Sequence, residues 1–302
     1  MLTLFSCPKP FRGHFATIQR NAIQSWRRLG PEVEVILMGD DEGTSEVAKE
    51  FGIYHIPDVA RNQFGTPLIR SLFDRAEEKA KYDRLCYVNA DIILMSHFIE
   101  AIKQVVFEMP QSLMVGRRWD LDLKEPIDFS ANWEDRLLRE VVHRGKLYYH
   151  FGIDYFVYPK GIWGEIPPFA VGRPGWDIWM LYRAHVLNIP MVDLTKMVSV
   201  VHQNHDYSHH PEGWLGASKG KEARQNIKLA GEIAYSLLDA QYRLTEKGIK
   251  RRIAPYYSPF YLYQRFVRLS ESYKCLRPFV RFIKMVGDRF LSHEGSSARS
   301  AQ

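Results

Sequence analysis

Over the first two hundred residues, short runs of β-branched, aromatic and other apolar residues alternate with longer segments whose apolar positions recur at helical spacing. The short runs read as strands over Leu2 to Ser6, Val33 to Gly39, Leu85 to Asn89, Leu113 to Gly116, Asp154 to Tyr158 and Met197 to His202. Helices are predicted over Phe15 to Leu29, Thr66 to Lys81, Ser96 to Met109 and Trp176 to Leu187. Thr66-Pro67 is a helix start signal, because a threonine oxygen caps free amides and proline at the first helical position loses no needed donor. The alternation is that of an α/β sheet layered with helices. After about residue 217 it gives way to a long helical stretch through Leu244, then to aromatic and basic segments punctuated by Pro255, Pro259 and Pro278. The expected organisation is an α/β domain over 1–217, a basic amphipathic helical extension over 218–291 and a disordered polar tail over 292–302.

Composition narrows the class. With 46% hydrophobic and 25% charged residues among 302, the chain is long enough to bury one large core and is not of disordered type. No run approaches the ~18 apolar residues of a lone spanning helix, and Lys9, Arg12, His14 and Arg20 break up the start, so no signal peptide is expected. Cys7, Cys86 and Cys275 are odd in number and widely separated, which fits a reducing cytoplasm. The net charge of +6 is unevenly spread: Lys247 to Arg289 carries +9 and the remainder −3. Nucleic acid is therefore not an expected partner of the main body. The basic, aromatic segment 258–291, with Phe260, Leu262, Tyr263, Phe266 and Val267 interleaved with Arg265 and Arg268, suits either an anionic membrane surface at the cytoplasmic face or packing on protein.

Candidate chemistry gathers at strand ends. Leu85-Cys86-Tyr87-Val88-Asn89-Ala90-Asp91 is an apolar strand that terminates in a carboxylate, and in open α/β sheets ligands collect at that edge. A hard oxygen ligand there holds Mg²⁺ or Mn²⁺ against a diphosphate. Val88-Asn89-Ala90-Asp91 resembles the DxD motif of the GT-A nucleotide-diphospho-sugar glycosyltransferases, with Asn89 in place of the first aspartate. The resemblance covers roughly residues 1 to 215 and implies a GT-A, Rossmann-like fold: a mixed, mostly parallel sheet flanked by helices, here with a C-terminal helical extension. It further implies metal ligation by Asp91, a supporting role for Asn89, and a histidine beyond the last core strand. His202 matches that place, with His205 competing, at the head of the cluster Val200 to His210. Carboxylate and imidazole together suit Mn²⁺, or Mg²⁺, better than Ca²⁺.

The same resemblance places the nucleoside at the ends of the first two strands, where Ser6 and Asp40 offer hydrogen bonds, and makes a UDP-sugar the expected donor. Arg61 and Arg117 are candidates for the diphosphate, since a guanidinium reads phosphate oxygens bidentately; Arg118 is the neighbour of the second. Gly175-Trp176-Asp177 resembles the base motif at the start of a late helix in inverting members, with Trp176 in place of the preceding acid. Asp177 is then the base that accepts the acceptor hydroxyl's proton, and Asp154 the alternative base or a donor-sugar ligand. Asp120 and Asp122, which share one face of an extended segment, suit sugar hydroxyls. The expected activity is metal-dependent transfer of a sugar from a nucleotide-diphosphate donor to a hydroxyl acceptor, a glycan or a lipid-linked glycan, with inversion. The rivals are a sugar-phosphate nucleotidyltransferase, which normally opens with a glycine-rich loop this chain lacks, and a metal-dependent hydrolase using Asp91, His202 and His205.

Overall fold

A computed structural model describes residues 1–206, 213–231, 235–253, 259–273 and 278. The first strand, β1 (Leu2–Ser6), leads into α1 (Gly13–Arg27), β2 (Val33–Met38), α2 (Thr44–Phe51), β3 (Tyr54–Ile56), α3 (Ile69–Lys79) and β4 (Arg84–Val88). A short β5 (Ile92–Ile93) precedes α4 (Ser96–Glu108), β6 (Leu113–Val115), β7 (Arg118–Leu121), α5 (Trp133–Arg144), β8 (Lys146–Leu147) and β9 (Tyr155–Pro159). Then follow α6 (Trp176–Val186), β10 (Met191–Asp193), β11 (Val200–Gln203), α7 (Gly213–Lys219), α8 (Lys221–Ala230), β12 (Tyr242–Thr245), β13 (Gly248–Arg251) and α9 (Pro259–Ser272).

The central sheet has nine strands in the order β13-β12-β10-β6-β9-β4-β1-β2-β3, and a smaller one runs β5-β11-β7-β8. In the large sheet β1 pairs in parallel with β2 and β4, and β9 runs antiparallel between β4 and β6. The result is the expected mixed, mostly parallel sheet flanked by helices. Its inner strands β1, β4, β6 and β9 are buried on both faces, which is why they read as continuous apolar runs. Along β4, Leu85 and Tyr87 join one core with Phe5, Phe73, Phe156 and Trp176, while Cys86 and Val88 join the other with Leu4, Trp26 and Phe98. Cys7 and Cys86 are free and buried; Cys275 lies outside the described residues. Among the described residues no helix is long and apolar enough to cross a membrane.

Two sequence expectations differ from the fold. Thr66-Pro67 does not start a helix: Asn62 Oδ1 accepts from the Phe64 and Thr66 amides, Pro67 bridges to Arg61 and Leu68 to Ala170, and these contacts hold the segment extended until Ile69. The stretch from 218 to 244 is not one long helix, and the extension is not wholly helical. Gly231, at φ +78°, ends α8 in a backbone conformation that L side chains rarely adopt. Tyr242–Thr245 then pairs in parallel with β10 and turns back through Glu246-Lys247 into β13, burying Leu244 completely. The extension is thereby tied into the central sheet. The segment 292–302, His209, His210 and the basic stretch from Phe279 to Arg289 lie outside the described residues.

Candidate metal and diphosphate site

Beyond β4 the chain turns through Asn89-Ala90-Asp91, the Ile92 amide donating to the Asn89 carbonyl at 3.1 Å, and re-enters as β5 in the small sheet. There β11 lies between β5 and β7, in a register that sets His202 opposite both Ile92 and Asp120. That pairing brings two distant segments to Asp91. Asp91 Oδ2 stands 3.1 Å from His205 Nε2 and 3.9 Å from His202 Nε2. One ligand atom from each of Asp91, His202 and His205 lies within 4.8 Å of the other two. Gln203, fully buried, fixes the turn from beneath: its Nε2 donates to the carbonyls of Asp91 (3.0 Å) and Ile18 (2.7 Å), and its Oε1 accepts from Asn21 (2.9 Å).

These residues fit a divalent cation. Asp91 Oδ1 is buried with no hydrogen-bond partner among the described residues, and such an orphaned acceptor is costly unless something positive meets it. Burial by itself would raise the Asp91 pKa, but His202, the hydrogen bond from His205 and the Lys9 ammonium outweigh it and hold the carboxyl well below the usual range. One carboxylate and two imidazoles form a donor set for Mn²⁺, with Mg²⁺ the oxygen-preferring alternative. Phe15 packs on the His205 ring at 5.0 Å between centroids and also lies 4.8 Å beneath the Lys9 ammonium.

Asn89 is engaged elsewhere. Its Oδ1 accepts from the Tyr87 hydroxyl (3.0 Å) and its Nδ2 donates to Asp154 Oδ1 (2.7 Å). An aspartate at this position would face Asp154 carboxylate to carboxylate, so the amide is what allows the contact. Asp154 is 5% exposed and also receives Arg118 Nη1 on both oxygens, at 2.9 and 2.8 Å. Burial disfavours the Arg118 charge, yet Asp154, Asp120 and Asp91 more than restore it, so the guanidinium is held firmly protonated. Asp120 accepts from Arg118 Nε at 2.8 Å. Asp122 lies just past the strand, accepting from Asn204 Nδ2 at 2.7 Å, on the wall of a cleft of about 1030 Å³ beside His205 that Pro10, Phe15 and Lys124 also line. The two acids expected to act together thus occupy different surroundings.

Asp177 is the second residue of α6, which Gly175 opens at φ +103°. Trp176, the residue in place of an acid, is buried against Tyr87 and Phe156 at 5.2 and 5.4 Å and anchors the helix start to β4 and β9. Burial pushes the Asp177 pKa up to about 6; the nearby Asp154 charge adds to the rise, while the backbone amides of Ile178, Asp177 and Gly175 oppose it. A carboxyl so placed is suited to accept a proton near neutral pH.

At the ends of β1 and β2, Ser6 Oγ is buried without a partner among the described residues. Arg61 Nη2 joins Asp40 Oδ1 (2.5 Å) and Asp41 Oδ2 (3.0 Å), and its Nη1 donates to the Gly65 carbonyl. Asp40 is 68% exposed and Asp41 25%, so Asp41 is the acid turned toward the strand ends. Arg117 donates Nε and Nη2 to the carbonyls of Tyr148 and Leu147, whereas Arg118, its neighbour, reaches the acids of the site. Sequence reasoning missed Lys9, Arg173 and Gln203. Burial lowers the Lys9 pKa, with Asp91 opposing and Arg173 adding to the fall, which sets Lys9 within electrostatic reach of both the Asp91 carboxylate and the Arg173 guanidinium. Arg173 is held by Glu222 of α8 through Nε (3.1 Å) and Nη2 (2.7 Å). No local motif marks these residues, since each acquires its role from a partner distant in the chain.

No protein-family model and no curated protein matches the sequence. Among solved structures, the chain is similar to residues 1–349 of TarS from S. aureus, with TM-score 0.47 and 9% identity over 67% of this chain and 60% of that one. The same protein in complex with UDP-GlcNAc gives 0.46 and 10%, over 69% and 60%. Glucosyl-3-phosphoglycerate synthase from Mycobacterium tuberculosis, in complex with Mn²⁺, UDP and phosphoglyceric acid, gives 0.45 and 14%, over 76% of each chain. The chain spans about 60% of the TarS length it matches.

Proposed function

We propose that this chain is a metal-dependent glycosyltransferase that moves a sugar from a nucleoside-diphosphate donor, a UDP-sugar, to a hydroxyl acceptor with inversion. The observation that carries the reading is the Asp91, His202 and His205 cluster with its orphaned carboxylate oxygen, at the strand edge that also holds the raised-pKa Asp177. Bound by those three residues, Mn²⁺ or Mg²⁺ supplies Lewis-acid neutralisation of the departing diphosphate. Lys9 adds positive charge beside it. Ser6, Asp40, Asp41 and Arg61, at and beyond the ends of β1 and β2, would receive the nucleoside, and Asp154, held by Asn89 and Arg118, would lie on the donor-sugar side. The acceptor oxygen attacks the anomeric carbon, its proton passes to the Asp177 carboxylate, and the nucleoside diphosphate leaves from the opposite face.

A thermal-shift screen of nucleoside diphosphates with and without Mn²⁺ tests the reading, because a ligand bound only by the folded state raises the melting midpoint. UDP is expected to shift the midpoint in the presence of Mn²⁺ and not in its absence. A metal-only shift with no response to any nucleoside diphosphate supports the hydrolase reading instead.

We infer in addition that α9 meets an anionic membrane surface at the cytoplasmic face, where a lipid-linked acceptor would lie. Tyr261 and Gln264 are the buried positions of the helix and Arg268 is tied to Asp239 at 2.7 Å, while Leu262 and Leu269 are exposed. The intact protein should pellet with phosphatidylserine liposomes, and the Leu262→Glu/Leu269→Glu variant should stay in the supernatant. Equal pelleting of the two, or none by the intact protein, removes the idea.

A further inference from the structure

We infer that Asp120 is a positioning residue of the metal centre, which sets the ring orientation and tautomer of His202. The inference rests on the metal-dependent reading above. It begins with the strand register: parallel pairing of β7 with β11 sets Asp120 directly against His202. His202 Nδ1 is buried and lies 3.2 Å from Asp120 Oδ1, a contact close enough for an ion pair but not aligned as a hydrogen bond. It has no other partner among the described residues, and Nε2 is the ring nitrogen turned to Asp91. A neutral imidazole offers a lone pair at Nε2 only when its proton sits on Nδ1, and a carboxylate at Nδ1 selects that tautomer.

His205 follows the same rule by different means. Its Nδ1 lies 2.7 Å from the Asp206 carbonyl oxygen, an acceptor that cannot donate, and its Nε2 faces Asp91 Oδ2 at 3.1 Å. Both rings therefore turn Nε2 to one carboxylate oxygen, each with an acceptor behind it.

Asp120 is itself held. Arg118 Nε donates to the same Oδ1 at 2.8 Å, Arg118 Nη1 grips both oxygens of Asp154, and the Tyr148 ring covers the guanidinium at 4.2 Å. With Arg118 and His202 both directed at Oδ1, that oxygen is not available to a sugar. Arg118 thus joins the carboxylate behind the metal ligand to the one that faces the reacting centre.

Mn²⁺ titration calorimetry on the 302-residue chain without nucleotide tests this, together with ¹⁵N spectra of the histidine-labelled protein without metal, recorded at a pH high enough for the rings to be neutral. Asp120→Ala should weaken Mn²⁺ binding by about 10- to 100-fold and shift His202 away from the Nδ1–H tautomer. Asp120→Asn, which keeps an acceptor without its charge, should recover part of the affinity and retain the tautomer. Mn²⁺ affinity within twofold of wild type in both variants, or an unchanged His202 tautomer in Asp120→Ala, overturns the inference and leaves the metal site standing. Failure of the wild type to bind Mn²⁺ overturns the metal-dependent reading itself.

Discussion

Asp91→Ala loses Mn²⁺-dependent binding of the nucleoside diphosphate, with Mn²⁺ affinity reduced by more than about 100-fold, because the only charged member of the ligand set is gone. Two imidazoles would remain, that of His205 bonded from behind to the Asp206 carbonyl and that of His202 close to Asp120. They cannot replace the oxygen that bridges to a hard cation. Calorimetric titration with Mn²⁺, then with UDP at saturating Mn²⁺, reads the effect directly. Chelation of the wild type should give the same loss of nucleotide binding, reversed by added Mn²⁺, whereas excess metal should not restore the variant. The apo variant also has an acid-stability signature. The Asp91 pKa is depressed in the fold, so its favourable contribution is present above the unfolded value near 4 and disappears as pH falls below it. Asp91→Ala should therefore flatten the loss of stability on acidification below about pH 4. Retained Mn²⁺-dependent UDP binding in Asp91→Ala would sink the assignment of this carboxylate to the metal.

The legible parts of this molecule were the local ones. β1, β2, β4 and β9 announce themselves as apolar runs because both faces of each are buried, and Asp91 is visible as the charge that ends one of them. Asp177 could be found because a glycine and a helix start precede it in sequence. What the residues do not show locally is pairing. The four-residue β7 and β11 become informative only once they lie side by side, so the sequence offers Asp120 as a sugar ligand without showing that it lies against Arg118 and His202. Likewise Arg117 and Arg118 are indistinguishable as letters, yet alternation along the strand sends one to backbone carbonyls and the other to the site acids. Gln203 reads as an ordinary polar residue after an apolar strand. Its function appears when the amide is found buried beneath the Asp91 turn. The hairpin β12–β13 was absorbed into a helical reading because its strands have only four residues each and a charged Glu246-Lys247 turn, without the Asn-Gly signal that usually marks such a loop.

Asp177→Asn should separate catalysis from stability in opposite directions. Removal of a general base lowers turnover by about 10²- to 10⁴-fold, while donor binding, which depends on Asp91 and its neighbours, should persist. In the wild type kcat/KM should fall on the acid side with a midpoint near the Asp177 pKa of about 6, and the variant's residual activity should lack that limb. The stability effect follows from the same burial. Because the folded-state pKa lies above the unfolded value near 4, the native state binds the extra proton between the two, and the wild type loses stability as pH rises through that window. A shift of roughly two units corresponds to an upper bound of about 3 kcal/mol above pH 6; the neutral amide escapes this cost, although it accepts less well from the amides at the helix start. The melting midpoint of Asp177→Asn should thus match that of the wild type near pH 4 and exceed it by a few degrees at pH 8. Equal midpoints at both pH values would mean that Asp177 is solvated as an ordinary helix-start carboxylate, and the proton acceptor would then have to be sought at Asp154.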